Sequence, residues 1–120
     1  MNNGLDSIYR DLGRSNITGL DYDQGRFRMV TLRNIALTAP YMHDGRFKSL
    51  EEVIVHYSDH VLKTKNLSPF LDNISNKVGG GQLRLTKAEK ADLLAFLHML
   101  TDSTFITDSR FSDPFVMRKN

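Results

Sequence analysis

Apolar residues fall at helical spacing in two stretches of the chain and lose that rhythm elsewhere. Leu50, Val53, Ile54, Tyr57 and Val61 repeat at three and four residues, which predicts one apolar stripe on a helix of about four turns. Ser49-Leu-Glu-Glu52 opens it as a capping box, with the Ser49 hydroxyl set to accept from the Glu52 amide while Glu52 reaches back. His56 and His60 fall on the row beside the stripe. Thr86-Lys-Ala-Glu89 is a second capping box, and behind it Leu93, Leu94, Phe96, Leu97 and Leu100 make a helix too apolar for an exposed surface, ending at Thr101-Asp102. A shorter helix is expected within Thr31 to Leu37, where Leu32, Ile35 and Ala36 share a face, and Pro40 stops it.

Between these elements the chain reads as loop. Residues 1–30 carry Gly4, Gly13, Gly19 and Gly25 among polar residues, a long irregular lead-in of the kind that lies against something. Leu5, Ile8, Tyr9, Leu12 and Ile17 either form a brief helical turn there or pin the loop down. Residues 64–85 are punctuated by Ser68-Pro69, Asp72-Asn73 and Gly79-Gly80-Gly81. In the last eighteen residues Phe105, Phe111 and Phe115 are spaced as anchors for a tail laid over the body. Two capped helices, much ordered loop and few alternating β-branched runs give an all-α domain with a thin core. Heavily packed loops, a cofactor or a partner must then fill the space between the helices.

Composition narrows the function classes. At 120 residues, 40% hydrophobic and 25% charged, the chain is one domain of ordinary globular make-up. The net charge of +2 comes from interleaved acids and bases rather than a basic face, which argues against nucleic-acid binding. With no cysteine, the chain forms no disulfide, no thiolate metal site and no Cys-x-x-Cys-His haem attachment. Met-Asn-Asn-Gly-Leu-Asp has the pattern of no signal peptide, and no apolar stretch approaches a membrane span. Gly79-Gly80-Gly81 lacks the Lys-Ser/Thr pair of a phosphate loop.

Candidate chemistry gathers between Thr31 and Tyr57. Pro40 and Gly45 bracket Tyr41-Met42-His43-Asp44 and hold its backbone. Methionine sulfur and imidazole both ligate haem iron, yet Met42 serves equally as a core gap-filler and His43 as a donor to a carbonyl. His56 and His60, one turn apart, have the spacing to grip a zinc, nickel or copper ion if His43 or Asp59 adds a third ligand. Two partly exposed histidines without a metal satisfy the same sequence. Tyr57, on the stripe, is either a buried tyrosine bonded to a carbonyl or a phenolate ligand. Residue chemistry alone favours the core role for each.

The stretch Thr31-Leu-Arg-Asn-Ile-Ala-Leu-Thr-Ala-Pro-Tyr-Met-His-Asp-Gly-Arg-Phe, with Leu50-Glu-Glu-Val and His56-Tyr57, resembles the C-terminal haem domain of the bacterial di-haem cytochrome c peroxidases and their MauG relatives. The likeness continues through Leu85-Thr86 and Lys90-Ala-Asp-Leu-Leu-Ala-Phe-Leu to Leu100-Thr101-Asp102, and takes in Asn3-Gly4-Leu5 and the Phe105 to Phe115 tail. It implies a cytochrome-c-like all-α fold, a periplasmic setting, haem c and calcium as cofactors, and a small cytochrome or similar electron donor. Tyr57 matches the distal iron ligand, Thr38 and Pro40 match two backbone-carbonyl calcium ligands, and Arg33 and His43 fall near the haem edge. Met42 becomes a neighbour rather than a ligand.

Where the chain departs from that pattern, the expectation changes. The attachment cysteines and proximal histidine precede the matching region in the family, as does the peroxide-reducing N-terminal haem domain. The resemblance therefore implies that residues 1–120 are one partial haem domain, a distal wall without covalent haem and inactive towards peroxide by itself. An apolar face around Val53, Tyr57 and Phe96 is expected to be exposed and to self-associate. The competing reading is a haem-independent metal-binding or interaction module using His56 and His60.

Overall fold

The computed structural model describes residues 1–72, 83–113 and 115. Its helices are α1 (Ser15–Thr18), α2 (Leu50–Val55), α3 (Pro69–Asp72), α4 (Lys87–Met99) and α5 (Ser103–Thr107), with a π-helical turn over His56–His60 continuing α2. Single 3-10 turns occupy Asp21–Asp23, Ile35–Leu37 and Ser109–Phe111. Among the described residues there is no strand, only isolated bridges at Gly13–Arg26 and Tyr41–Phe47. The expected all-α class holds.

Both capping boxes form. Ser49 Oγ accepts from the Glu52 amide at 3.3 Å while Glu52 Oε2 accepts from the Ser49 amide at 3.2 Å. Thr86 and Glu89 repeat the exchange at 3.3 and 2.7 Å. The helix after Ser49 is shorter than its stripe suggested, because regular α winding stops at Val55. The helix expected within Thr31 to Leu37 is only the turn at Ile35–Leu37, entered from Asn34 in the left-handed region (φ 60°). Asn34 fastens that turn to the end of α4: its amide donates to Leu100 O (3.0 Å) and its Oδ1 accepts from the Asp102 amide (2.6 Å).

The core is as thin as expected. Leu50, Ile54 and Leu97 are buried where α2 meets α4, ringed by Ile35, Ala36, Tyr41, Leu85, Leu94 and Leu100. The opposite side of α4 has no cover among the described residues: Leu93, Phe96 and Met99 are 37%, 51% and 80% exposed, so the run is apolar on its outer face as well. The radius of gyration is 17.8 Å, against roughly 14 Å for a compact chain of this length.

The lead-in has a polar interior; of the residues from Leu5 to Ile17 considered for a helical turn, Ile17 lies in one, the single turn of α1. Buried Asn2 bonds Tyr9 Oη (2.8 Å), Gln24 O (3.3 Å) and the Gly4 amide (2.9 Å). Gly4 O accepts from the Leu62 amide (2.8 Å), and at φ 66° a Cβ there would stand 2.7 Å from Leu62 O. The lead-in thus lies against residues 61–68. The tail differs from expectation. Phe105, Phe111 and Phe115 are 43%, 60% and 86% exposed; Phe105 and Phe111 pack on each other, ring centroids 4.7 Å apart, instead of on the body. Gly79-Gly80-Gly81 lies outside the described residues.

Candidate functional site

The Pro40–Phe47 turn is closed by the Tyr41 amide on Phe47 O (2.7 Å) and hung on the preceding turn by Tyr41 Oη donating to Ile35 O (2.8 Å). Gly45, at φ 67°, allows the reversal where a side chain would crowd Pro40 Cγ at 3.1 Å. Arg46 then crosses to the lead-in, giving Asp6 a two-pronged bond (3.0 and 2.6 Å) and Asp44 another from Nε (2.8 Å). These bonds raise the Arg46 pKa, and Arg46 holds the Asp44 carboxyl below its ordinary range. His43 lies exposed and stacked flat on Phe27 (3.8 Å, 14°), at the edge of a cleft of about 760 Å³ lined also by Asn3, Tyr9, Arg10 and Arg46. Met42, half-buried, accepts from Asn3 Nδ2 at 3.3 Å.

The π turn carries the rest. His56 points inward: it is 5% exposed, and its ring nitrogen Nε2 donates to Asn3 O at 3.0 Å. Burial, above all, pushes its pKa down. The imidazole sits beside Phe47 (5.6 Å) and meets Tyr57 edge to face (5.2 Å, 66°). Ser58 is fully buried; its hydroxyl donates to Asp59 (2.9 Å) and accepts from the Leu85 amide (2.9 Å), while its carbonyl accepts from the Arg84 amide (2.8 Å). Asp59 pairs with Lys90 of α4, and that bond, more than its bond from Ser58, lowers its pKa. Tyr57 stands between these two attachments, half-buried, its hydroxyl making no hydrogen bond among the described residues.

His56 and His60 are not the matched pair that their spacing suggested. Both line a cavity of about 370 Å³, but His56 is buried with Nε2 committed to Asn3 while His60 is exposed. Among the described residues no group of three or more His, Asp and Glu is placed to hold a metal. The metal-module reading is not favoured. Thr38 and Pro40 are exposed, and their carbonyls accept no hydrogen bond among the described residues. Arg33 is exposed and 3.9 Å from Asp102, remote in contacts from His43. Asn3 and Ser58 drew no attention as residues; only Asn3-Gly4 within the family-like flank signalled either.

No family model matches the chain. It is 35% identical over 102 residues to the cytochrome-c peroxidase IdrP2 of Pseudomonas sp. (strain SCT), covering 85% of this chain and 24% of that protein. To the methylamine utilization protein MauG of Methylophilus methylotrophus it is 31% identical over 96 residues, covering 76% and 25%. The crystal structure of a MauG-like protein associated with microbial copper homeostasis superposes on 94% of the chain with a TM-score of 0.77 and 42% identity, using 38% of that protein. The chain belongs to the cytochrome c peroxidase and MauG family. It spans about a quarter of the length of the curated members it matches. Members by these names are haem peroxidases and MauG-like proteins, and the helical fold agrees with theirs. No described helix is long and apolar enough to cross a membrane.

Proposed function

We propose that this chain is the distal wall of a haem domain in a peroxidase- or MauG-type electron-transfer protein, in which the Tyr57 hydroxyl would supply an oxygen ligand to the haem iron. The observation that carries the reading is Tyr57: a half-buried ring held edge to face with His56, whose hydroxyl is open to solvent and makes no hydrogen bond among the described residues. A buried phenol ordinarily finds a protein acceptor; the Tyr57 oxygen, on a π turn and committed to no protein group, is available for a ligand's role. The haem, when bound, supplies one-electron storage; the chain's part is to present the oxygen, exclude water with the apolar surface of α2 and α4, and hold the turn.

The other matched residues follow from the same reading. The free carbonyls of Thr38 and Pro40 are two calcium ligands, with the remaining four or more oxygens such an ion takes contributed from elsewhere. His43 and Arg33 lie towards the haem edge. Haem c, a periplasmic setting, a small cytochrome donor and a companion peroxide-reducing haem domain belong to this proposal for the whole protein. This chain by itself carries no cysteine for thioether attachment and is expected to turn over no peroxide. Its exposed α4 face, with Phe96 at the centre, is expected to self-associate; a clean monomer on size exclusion at high concentration argues against that.

The test is a titration with ferric protoporphyrin IX. Wild-type chain gives a stoichiometric complex with a phenolate-to-iron charge-transfer band, and Tyr57→Phe lacks that band. An identical spectrum for both variants, or no complex with the wild type, overturns the proposal.

A further inference from the structure

Two independent attachments grip the π turn on either side of Tyr57, and neither is needed to continue a helix. On one side the His56 imidazole reaches the Asn3 carbonyl, 53 residues away in sequence, at 3.0 Å. On the other the buried Ser58 hydroxyl and carbonyl take the amides of Leu85 and Arg84. Without them the α winding of Leu50–Val55 would carry on and Tyr57 would rotate along the stripe towards Leu50 and Ile54. A π turn widens the ring of backbone hydrogen bonds by one residue, so the side chains after it change phase relative to those before. His56, whose amide still makes the regular α bond to Glu52 O, is covered by the lead-in and Phe47; the turn that follows buries Ser58 and leaves the Tyr57 hydroxyl without a partner among the described residues.

We infer that His56, anchored on the Asn3 carbonyl, is the positioning residue for the Tyr57 hydroxyl. This rests on the reading of Tyr57 as an oxygen ligand. The imidazole does two things at once. Its Nε2–H fixes the ring against the lead-in, and the ring meets the Tyr57 ring edge to face at 5.2 Å and 66°, with Phe47 tilted beside it at 5.6 Å. A ligand atom keeps its geometry only when the group supporting it is itself locked by packing and hydrogen bonds. Asn3 adds a further lock through Nδ2 on Met42 sulfur, which joins the Tyr41-Met42-His43 turn to the same anchor. One short segment of the lead-in therefore sets both the turn and the ligand-bearing helix.

The experiment compares wild type, Tyr57→Phe, His56→Leu and His56→Gln, each shown to be folded by far-UV circular dichroism and then titrated with ferric protoporphyrin IX. Leucine fills the space without a donor; glutamine can still donate to Asn3 O. His56→Leu is expected to lose the phenolate charge-transfer band or shift it, with at least tenfold weaker binding, while His56→Gln retains the band. A change confined to stability would leave the band of the bound fraction unmoved. If folded His56→Leu keeps the wild-type band and affinity, His56 positions nothing, and the Tyr57 reading still stands provided Tyr57→Phe loses the band. Should His56→Leu not fold, His56→Phe, which keeps a ring beside Tyr57 but has no donor for Asn3 O, is read in its place: a lost or shifted band supports the inference, and the wild-type band and affinity overturn it. Loss of nothing in Tyr57→Phe sinks the underlying reading instead.

Discussion

Replacing Asn34 separates two contributions at the joint between the Ile35–Leu37 turn and the end of α4. Asn34→Ala removes the Oδ1 acceptor for the Asp102 amide and leaves at φ 60° a side chain without the polar group that lets asparagine tolerate the left-handed region. The lost hydrogen bond costs about 0.5–1.5 kcal/mol and the left-handed conformation about 1–2 kcal/mol, together roughly 1.5–3.5 kcal/mol. Asn34→Gly loses the same bond but not the steric term, and gives back about 0.4–1 kcal/mol through the freer unfolded chain. Glycine should therefore exceed alanine in stability by up to about 1.6 kcal/mol. Urea unfolding followed by circular dichroism reads this directly: with a slope of about 1.5 kcal/mol/M the alanine midpoint falls by about 1–2 M. If alanine is as stable as glycine or more so, the backbone conformation at Asn34 does not carry the cost assigned to it.

Ser58→Ala strips the Leu85 amide of its partner in the interior and should cost about 1–3 kcal/mol in urea unfolding; a loss below a few tenths would mean that water replaces the hydroxyl. Asp44 is held below its ordinary pKa chiefly by its hydrogen bond to Arg46. Its contribution is complete above the unfolded carboxylate pKa and is lost as pH falls through the lower folded value. The midpoint in urea should therefore drop on acidification below about pH 4, and less so in Arg46→Met. Phe96→Ser, at a 51% exposed position, should change monomer stability little but reduce self-association, read by light scattering. Unchanged scattering would put the contact elsewhere.

The parts legible in the sequence were those fixed by neighbours in the chain. Ser49-Glu52 and Thr86-Glu89 act across three residues, so the starts of α2 and α4 were readable without tertiary information. The end of α2 was not, because the π turn depends on Asn3, Arg84 and Leu85, contacts that no local pattern reports. His56 is hidden for a related reason: it flanks the stripe as helical spacing predicts, and the distant lead-in at Asn3, with Phe47, covers it. The tail phenylalanines misled in the other direction, since hydrophobicity says that a ring prefers cover but not that the chain supplies it. Tyr57 was marked by family likeness, and only its free hydroxyl gives that likeness a physical basis.

The molecule measures 64 × 41 × 19 Å, and its thinnest dimension is less than two helix diameters of about 10–12 Å. Hydrogen exchange on such a slab should have an uncommon map. Slowly exchanging amides should form a single ridge along the seam of α2 and α4, around Ile54 and Leu97, rather than a rounded nucleus. The described segments outboard of that seam, the lead-in that carries Asn3 among them, should exchange faster than the seam. A ligand bridging the two sides would reveal itself first as slower exchange in the segments outboard of the seam.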